Sequence, residues 1–528
     1  MDLTGSSYAD PILSCAESSR WEEAVLGTDL EAAWRAMNAA GAAVGDAVLL
    51  DRLEISERPL VRTLVLVGKG HNGGDALIAL RRLFDRQPGL QALVVLAAGL
   101  ESLKPLTRRA LEQLNPNRDR RLEVVGWRGG DTERLTRRLE SEPFDLCLDG
   151  LLGMQFKPPL RSAVRQMVDC VNSNPGIDLR GAVDLPSGLG DSSDAAPFRA
   201  DFTYATGIAK APVVDEANRR WVGRIRYLDI GFFFARKPAS DIWMLKDAIL
   251  DPHRRLRPPE SDKRTYGHVF ILTGSRPYPG ALLMSVRAAL RSGAGLVTAF
   301  APESLAATFA PQAPEAMWVP WPETLAGSLA LEGRHLLIAR RDRCSSLVVG
   351  PGLGCEAETL QLVTEADAVV DRPIVVDADA LQQGVVDALA DRQERSSPIV
   401  ATPHHGEFKR ISGLDPSDQA LRDFSRRTGI ITCLKGPVTR ISDGDRVFVS
   451  PFGGPVLARG GSGDLLAGIL GTTLADCPGA PLEAACRGVV WHGRAADCLS
   501  RARGQVAVQT TEILDHLATA LRCPDHGS

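Results

Sequence analysis

The feature that most constrains the fold is an alternation of short apolar runs with segments of helical spacing, which occurs in two blocks. The first block extends from about Arg62 to Ala211 and contains the runs LVLVG, ALVVLAA, LEVVGW, FDLCLDG and GAVDLPSG. The second begins at Gly267, continues to about Leu521 and contains SLVVGPGLG, PIVVDADAL and SPIVATPHHGE. Short β-branched runs separated by helical patterns are typical of parallel sheets covered by helices. The sequence therefore predicts two three-layer α/β domains in series.

A polar, proline-bearing stretch at about residues 235–265 separates the two blocks. Such composition is typical of an inter-domain connection, and 528 residues are too many for a single hydrophobic core. We expect a first domain at 1–235, a connection at 236–264 and a second domain at 265–528. An amphipathic helix is expected from Leu30 to Val48, before the first strand.

Composition restricts the possible partners. Apolar residues make up 44% of the chain and charged residues 24%, and the formal net charge is −4, so no basic surface for nucleic acid is expected. The sequence shows neither a signal peptide nor a run of about 18 apolar residues, and its ten cysteines form no C-x-x-C pair. We expect a cytoplasmic protein with small-molecule ligands and no nucleic-acid or membrane partner. The composition is also compatible with a homo-oligomer.

The glycine-rich loop GKGHNGGD at residues 68–75 follows the first strand and matches the G-x-G-x-x-G pattern of dinucleotide-binding loops. Two features argue against an NAD site of the usual kind. Asp75 falls in the expected first turn of the next helix, where a pyrophosphate should bind. The acidic residue expected about 20 positions later is missing from the strand ALVVLAA.

Polar residues follow three strands of the first block: Asn72 in the glycine loop, Asp149 in LDGLLG, and Asp184 with Ser187 in DLPSG. Since the carboxyl ends of parallel strands meet at one crevice, these residues are expected to share a site. Asn72, Asp149 and Ser187 supply oxygen ligands that suit a hard cation, and Asp184 is a candidate acid or base. Taken singly, each also fits a helix cap or a turn residue.

The motifs GKGHNGGDALIAL, LDGLLGMQFKPPL, VDLPSGLGDSSD, ADFTYATGIAKAP and VGRIRYLDIGF resemble, in this order, those of the NAD(P)H-hydrate epimerase family. The resemblance implies a Rossmann-like domain that binds K⁺ through Asn72, Asp149 and Ser187, and in which Asp184 is catalytic. The substrate-contacting positions that it implies are His71, Asn72, Gly73, Gly74, Asp75, Gly153, Met154, Gln155, Phe156, Lys157, Pro158, Pro159 and Asp184.

This chain departs from the epimerase family at three places. His71 stands where the family usually has asparagine, and Ala76 stands where it has glycine. Gly153-Met154-Gln155 replaces a Gly-Thr-Gly-like turn. Loss of the threonine hydroxyl and of one glycine would reshape the substrate loop, so an inactive, ligand-binding first domain stays open as an alternative.

In the second block, RGGSGDLLAG at residues 459–468 joins glycines to Asp464 and an apolar helix. Backbone N–H groups at such a helix start stabilise an anion, and an adjacent carboxylate accepts a proton. Phosphoryl transfer to a hydroxyl needs both features. The chain contains no G-x-x-x-x-G-K-[ST] loop, which argues against a P-loop enzyme. A glycine-rich turn with Asp464 as a helix cap is the alternative.

Upstream of this loop, LTGSRPYPGALLMSVRAALRSGAGLVTAFAPESL, VVGPGLG, VVDADAL, ATPHHGEFKRI and LKGPVTRI occur in order. Together they resemble the ADP/ATP-dependent NAD(P)H-hydrate dehydratase family, which has a ribokinase-like fold, over nearly all of residues 265–520. The resemblance implies ADP or ATP as co-substrate with Mg²⁺. The positions implied are Ala281, Gly352, His404 and Asp464 for substrate, with Asp464 also catalytic, and Lys435, Gly436, Pro437, Val438, Thr439 and Gly463 for the nucleotide. From the residues alone, His404 is equally well explained as a capping or packing residue.

The two resemblances together predict a bifunctional repair enzyme for the hydrated cofactors NADHX and NADPHX. Its first domain would interconvert the R and S hydrates, and its second would dehydrate the S form with hydrolysis of ADP or ATP. The alternative is a small-molecule kinase of ribokinase fold that carries a non-catalytic N-terminal binding module. The sequence leaves open ADP against ATP and NADHX against NADPHX.

Overall fold

The computed structural model describes residues 3–115, 119–127, 132–193, 196–391 and 397–523. The chain divides into two compact units. Among the described residues, the N-terminal unit comprises Asp10–Ser240, and the C-terminal unit comprises residues 241–523 together with residues 3–9. Each unit is built on a mainly parallel sheet with helices, which confirms the predicted α/β class.

The elements up to the end of the N-terminal unit alternate as the sequence predicts. The strands are β1 Ala9–Pro11, β2 Arg62–Val67, β3 Gln91–Leu96, β4 Leu122–Gly126, β5 Leu146–Gly150, β6 Arg180–Val183, β7 Phe202–Thr206 and β8 Arg224–Leu228. The helices are α1 Cys15–Leu26, α2 Leu30–Arg52, α3 His71–Arg86, α4 Pro105–Gln113, α5 Thr132–Ser141, α6 Ser162–Asn172, α7 Ala211–Val214 and α8 Arg219–Val222, with short 3-10 helices at Leu100–Ser102 and Glu216–Asn218.

The sheet of the N-terminal unit has the strand order β4-β3-β2-β5-β6-β7-β8, and all its neighbouring strands are parallel. Successive residues of β2 point to opposite faces: Leu64 and Leu66 belong to one hydrophobic core, and Val65 and Val67 to another. Because both faces are buried, the strands contain continuous apolar runs rather than an alternating pattern. Three layers result, as predicted.

The C-terminal unit contains the remaining elements. Its strands are β9 Ile242–Leu245, β10 His268–Leu272, β11 Leu296–Pro302, β12 Met317–Trp321, β13 Ser346–Val349, β14 Ile374–Val376, β15 Ile399–Ala401, β16 Ile431–Leu434, β17 Thr439–Ser442 and β18 Val447–Ser450. Its helices are α9 Pro279–Arg291, α10 Glu303–Phe309, α11 Arg334–Ile338, α12 Ala357–Val370, α13 Gln383–Ala390, α14 His405–Ser412, α15 Asp418–Thr428, α16 Ser462–Asp476, α17 Pro481–Arg503 and α18 Leu517–Arg522. Its 3-10 helices are Asp247–Arg254, Ala310–Gln312, Leu331–Gly333, Arg341–Arg343, Ala378–Ala380, Pro455–Leu457 and Thr510–His516.

The second sheet has eleven strands in the order β1-β9-β18-β17-β16-β15-β14-β13-β10-β11-β12. The strands from β16 to β12 are parallel, whereas β16, β17 and β18 form an antiparallel meander. Helices α9, α16 and α17 supply much of the core on one face, with Leu282, Leu470 and Val490 fully buried. No helix among the described residues combines the length and apolar content needed to cross a bilayer.

The stretch predicted as a connection, residues 236–264, contains part of the C-terminal unit. Strand β9 pairs in parallel with β18, and its Trp243 and Leu245 lie in the main core. The 3-10 helix Asp247–Arg254 follows and buries Ile249 and Leu250 in the same core. Both elements are short and lie among charged and proline residues, so the sequence pattern did not predict them.

Candidate active sites

In the N-terminal unit, the chain runs from β2 outward to β3 and β4 and then returns to β5 on the other side of β2. The direction in which strands are added therefore reverses between β2 and β5. Such a switch point opens a crevice at the carboxyl ends of the strands. Glycines allow the loops to meet there: a Cβ on Gly68 would lie 1.8 Å from the Leu151 carbonyl oxygen, and one on Gly73 would lie 2.3 Å from that of Gly68. Only glycine fits at either position.

Asn72, Asp149 and Ser187, which the sequence places on three different loops, lie together in this crevice. Ser187 Oγ donates to Asp149 Oδ1 (2.6 Å), and Ser187 N donates to Asp149 Oδ2 (2.7 Å). Asn72 Nδ2 donates to the Leu152 carbonyl oxygen (2.8 Å), which lies 3.4 Å from Ser187 Oγ. Burial raises the pKa of Asp149 to about 6, against hydrogen bonds from Ser187 and Leu151 that lower it.

The remaining oxygen of Asn72 is buried and has no hydrogen-bond partner among the described residues. An unsatisfied buried amide oxygen beside a buried carboxylate is unfavourable unless something else contacts it. A cation satisfies both groups at once. The oxygen-only donor set therefore fits a hard ion, although the group's role as a metal site stays a prediction.

Asp184, the predicted catalytic residue, follows β6 in the left-handed region of backbone conformation (φ 67°). Its carboxylate pairs with the ammonium of Lys210, which is 1% exposed, and accepts a longer hydrogen bond from Thr206 Oγ1 (3.4 Å). Burial acts to lower the pKa of Lys210, but the charges of Asp184 and Glu22 and the hydrogen bond to Asp184 raise it overall. Asp184 is thus a carboxylate with its own counter-ion.

Asp75 lies in the second turn of α3, because the helix begins at His71 with Gly70 as its N-cap; the expectation that Asp75 occupies the first turn was wrong. Its side chain is buried, and Oδ1 has no hydrogen-bond partner among the described residues. Burial and the nearby charges of Asp184 and Glu22 raise its pKa well above the usual range, although Lys210 opposes the shift. Burial likewise raises the pKa of Glu22 to about 7.

The Gly153–Pro159 segment, predicted to contact substrate, links β5 to α6 and lies beside Asn72. A Cβ on Gly153 would lie 3.4 Å from Asn72 Cβ, and the Phe156 ring approaches Gly190. Gln155 Nε2 lies 3.5 Å from Ser19 Oγ of α1. The other predicted positions in this segment are Met154, Lys157, Pro158 and Pro159, of which Lys157 and Pro159 are exposed. At the start of α3, burial lowers the pKa of His71.

In the C-terminal unit, the strand order reverses between β10 and β13, and the loops after β10, β13, β14, β15 and β16 share one edge. Helix α16 begins at this edge, with Gly461 as N-cap in the left-handed region (φ 89°). The N–H groups of a first helical turn have no intrahelical acceptor and attract anions. Asp464 is the third residue of α16, and Ser285 Oγ donates to its backbone carbonyl oxygen (3.1 Å).

An ion pair lies beside this helix start. Lys435 Nζ is 2.7 Å from Asp377 Oδ1, and the Asp377 side chain is 2% exposed. A Cβ on Gly463 would lie 3.3 Å from both Asp377 Oδ2 and Lys435 Nζ, so the pair packs against the residue that precedes Asp464. Burial and then the charge of Asp377 raise the pKa of Asp464 to about 6, with Lys435 opposing the shift and Asp379 adding to it.

His404 caps α14 and also lies at this edge. Its Nδ1 accepts from Gly406 N (3.0 Å) and Glu407 N (3.2 Å), while Glu407 Oε2 accepts from His404 N (2.8 Å). The side chain nevertheless remains 61% exposed. Since Lys435 N donates to the Pro403 carbonyl oxygen (2.8 Å), the next loop is held beside it. His404 is a capping residue, and its contact with substrate stays a prediction.

The other predicted positions lie in the loops at the same edge. Gly352 follows β13 in the left-handed region (φ 63°), and a Cβ there would lie 2.8 Å from Ala281 Cβ of α9. Ser275 Oγ, after β10, donates to the Gly352 carbonyl oxygen (2.7 Å). The predicted nucleotide loop Lys435, Gly436, Pro437, Val438 and Thr439 connects β16 to β17.

Sequence reasoning gave no role to Lys210, Glu22 or Asp377. Lys210 and Asp377 lie inside quoted motifs, GIAKAP and VVDADAL, and a charged residue next to an apolar strand was the available signal. Glu22 lies in α1, outside every motif. Among the described residues, no group of three or more His, Cys, Asp or Glu side chains is arranged to hold a metal ion.

Each of the two α/β units is built on a mainly parallel sheet and has buried ionisable groups at the switch point of that sheet. These features define an enzyme of the two-domain α/β class. The comparisons are consistent with this. The family profile described as NAD(P)H-hydrate dehydratase matches residues 269–519, and that of the YjeF-related protein N-terminus matches residues 35–211.

The chain belongs to the family of bifunctional NAD(P)H-hydrate repair enzymes, Nnr. It is 35% identical over 460 residues to the Gloeobacter violaceus enzyme of that name, covering 83% of this chain and 84% of the relative. It is 32% identical over 482 residues to the Moorella thermoacetica enzyme, covering 87% of each. Among solved structures, a ribokinase-like superfamily protein from Enterococcus faecalis is 27% identical with a TM-score of 0.47, covering 54% of this chain and 97% of that chain.

Proposed function

We propose that the C-terminal unit dehydrates the S hydrate of NADH or NADPH at the expense of ADP or ATP, and that the N-terminal unit interconverts the R and S hydrates. The observation that carries the first activity is the position of Asp464. Its pKa is about 6, and it lies in the first turn of α16, where helix N–H groups face outward. A base of that pKa is largely ionised near neutral pH and still accepts a proton effectively.

In the proposed reaction, the hydrate's hydroxyl oxygen attacks the terminal phosphorus of the nucleotide, and its proton passes to Asp464. The bond from phosphorus to the leaving nucleotide oxygen breaks, which releases AMP from ADP or ADP from ATP. N–H groups at the start of α16 stabilise charge on the transferring phosphoryl group. The ring nitrogen lone pair then expels phosphate, and loss of a ring proton restores NADH or NADPH.

The surrounding loops supply the binding contacts in this proposal. Ala281, Gly352 and His404 contact the hydrate, while Gly463 and the Lys435–Thr439 loop contact the nucleotide. Mg²⁺ enters with the nucleotide, because this ion is usually held by substrate phosphates together with one or two carboxylates. Asp464 needs to reach a hydroxyl on one face of the ring only, so the unit is expected to accept one stereoisomer.

For the N-terminal unit, Asn72, Asp149 and Ser187 are proposed to hold K⁺, with the Leu152 carbonyl oxygen nearby. The unpartnered oxygen of Asn72 and the single buried carboxylate support a monovalent ion, since a divalent ion generally has more charged ligands. Bound K⁺ would supply a fixed positive charge beside the substrate. Asp184, with Lys210 as its partner, is proposed to transfer the protons of hydroxyl loss and return.

An assay on a mixture of R and S hydrates tests both activities in the intact chain. Absorbance of the reduced nicotinamide and released phosphate are followed with ADP and with ATP, in the presence of potassium. We expect one equivalent of phosphate for each cofactor restored, and complete consumption of both isomers. If phosphate is transferred to an acceptor and stays on it, as in the reaction of a vitamin-precursor kinase, and no cofactor is restored, the dehydratase is excluded.

The epimerase is tested separately within the same reaction. If the N-terminal unit is a binding module without catalysis, dehydration stops after the S isomer, apart from slow spontaneous epimerisation. The altered Gly153-Met154-Gln155 turn makes this outcome the specific alternative. Chiral separation of the remaining hydrate distinguishes the two.

All ten cysteines are free thiols, and five of them are buried. Reduced thiols are the usual state in the cytosol, so we propose a cytoplasmic location, with small molecules as the partners of both sites. Size-exclusion chromatography with light scattering determines whether the chain also forms homo-oligomers.

A further inference from the structure

Lys435 belongs to the proposed nucleotide loop, yet its side chain is already engaged. Its ammonium lies 2.7 Å from Asp377 Oδ1, and Lys435 N donates to the Pro403 carbonyl oxygen, so both its backbone and its side chain are fixed. Asp377 follows β14 and is held by its own N–H, which donates to the Val349 carbonyl oxygen (3.1 Å). The pair is therefore part of the framework at the carboxyl edge of the sheet.

The pair also touches the helix that carries Asp464. The Cβ position of Gly463 lies 3.3 Å from Asp377 Oδ2 and 3.3 Å from Lys435 Nζ. One negative and one positive group thus lie next to the residue that precedes Asp464. The two groups shift the pKa of Asp464 in opposite directions: Asp377 raises it and Lys435 lowers it.

Other ionisable groups face the same place. Asp379 lies on the turn that carries Asp377, and its charge also acts on Asp464. Glu407 of α14 acts on Lys435. From α17, His492 faces Lys435, and burial together with that positive charge lowers its pKa to about 4, so its ring is neutral near pH 7. From α9, the uncharged Ser285 hydroxyl donates to the Asp464 carbonyl oxygen.

The charges of Lys435 and Asp464 act on each other, and a Lys435 ammonium released from Asp377 would be free to pair with Asp464. A carboxylate paired with lysine is a weaker base, because the positive charge favours its ionised form. The Asp377 carboxylate satisfies the ammonium instead. Its second oxygen, on the side of Gly463, adds a negative charge that favours proton uptake by Asp464.

We propose that Asp377 is a positioning residue for the phosphoryl-transfer step: by holding Lys435 in an ion pair, it keeps the ammonium off Asp464 and leaves that carboxylate free to accept the hydroxyl proton. The assignment rests on the proposed dehydratase function. In this assignment the Lys435 side chain acts through its ion pair with Asp377, while the backbone of the Lys435–Thr439 loop contacts the nucleotide.

The test compares Asp377→Asn with Lys435→Gln in the full-length protein, with the pH dependence of dehydratase kcat as the measurement. Activity rises with pH as Asp464 ionises, and the midpoint of this rise reports its pKa. Asp377→Asn removes a negative charge and releases Lys435, so the midpoint should fall by about one pH unit. Lys435→Gln removes the positive charge, so the midpoint should rise by a similar amount.

The double variant and a surface control complete the series. Removing both charges at once should bring the midpoint back towards that of the parent, because the two charges act on Asp464 in opposite directions. The control is Asp415→Asn, which makes the same chemical change at an exposed pair with Lys409 and should leave the profile unchanged. Circular dichroism establishes that each variant is folded, and the double variant covers the case in which a single unpaired charge unfolds the unit.

A second measurement does not depend on turnover. In protein labelled with ¹³C at the aspartate carboxyl carbon, the Asp464 signal is assigned by its loss in Asp464→Asn, and its pKa is titrated directly. The same opposite shifts are expected there even if the substrate is not an NAD(P)H hydrate, so failure of the proposed function is distinguishable from failure of this inference. Shifts in one direction for both single variants, or no shift, overturn it. So does a rise of more than about tenfold in nucleotide KM for Asp377→Asn with an unchanged pH profile, which would place the pair in nucleotide binding.

Discussion

The two units place a lysine and several carboxylates at the same kind of position, the switch point of a parallel sheet, but they pair them differently. In the N-terminal unit the buried Lys210 binds Asp184, the proposed catalytic acid or base itself. In the C-terminal unit Lys435 binds Asp377, and the proposed base Asp464 lies outside the pair.

The comparison teaches that each lysine is held by one carboxylate, while burial raises the pKa of a second carboxylate near the pair. In the N-terminal unit Lys210 pairs with Asp184, and burial raises the pKa of the nearby Asp75 well above the usual range. In the C-terminal unit, burial and then the charge of Asp377 raise the pKa of Asp464 to about 6, although Lys435 opposes the shift. The proposed acid or base is therefore a member of the ion pair in the N-terminal unit and a neighbour of the ion pair in the C-terminal unit.

The largest effect is expected from removing the carboxylate of Asp464, the proposed base. Asp464→Asn should lower dehydratase turnover by a factor of roughly 100 or more, the loss typical of a general base, while nucleotide affinity changes little. Turnover is followed by absorbance of the restored cofactor and affinity by calorimetry. A variant that retains more than half its activity would remove Asp464 from the mechanism.

The paired carboxylate should respond differently, through stability as well as activity. Asp184→Asn leaves the buried Lys210 ammonium without its direct ion-pair partner, so unfolding of the N-terminal unit should become easier by about 3 kcal/mol, and epimerisation should fall at least about tenfold. Asp46→Asn is the control: it breaks the partly exposed pair with Arg82 and should cost less than about 1 kcal/mol. Equal costs in chemical denaturation would contradict a buried pair at Asp184.

Potassium should distinguish the units, because only the N-terminal site offers the Asn72, Asp149 and Ser187 oxygens. The folded pKa of Asp149, about 6, lies above its ordinary value of 3.8. Without the cation, stability of this unit should therefore fall as pH rises through that window. Potassium binds the ionised form, so at ten times its Kd and about pH 7 it should raise Tm by about 3–5 °C, and by less at about pH 5. A Tm gain that is independent of pH, or that survives Asn72→Ala in full, counts against the site.

The smallest effect tests the contact between α16 and the ion pair. An alanine side chain at Gly463 would lie 3.3 Å from the ends of Asp377 and Lys435, which are flexible enough to move by a few tenths of an ångström. Gly463→Ala should therefore lower turnover only by a factor of roughly 2–5, with stability changed by less than about 1 kcal/mol because alanine favours the helix. Unchanged kinetics would indicate that the pair has more room than the structure implies.

The sequence predicted the fold class and the polar residues at the strand ends, because a parallel sheet buried on both faces needs continuous apolar runs and places the following loops at one edge. It also predicted that Asn72, Asp149 and Ser187 lie together. It did not reveal β9, whose four residues Ile242–Leu245 are too few to be recognised among charged neighbours and become a strand by pairing with β1 and β18.

The sequence by itself determined which residue types were present for each step: oxygen ligands, glycine turns, and carboxylates after strands. Only the tertiary structure decided their pairing. Lys210 and Asp184 are 26 residues apart, and Lys435 and Asp377 are 58 apart, so no local pattern connects either pair. Burial shifts the proton affinity of a group only after the chain has closed around it, and which carboxylate receives the lysine depends on how the loops of different strands pack.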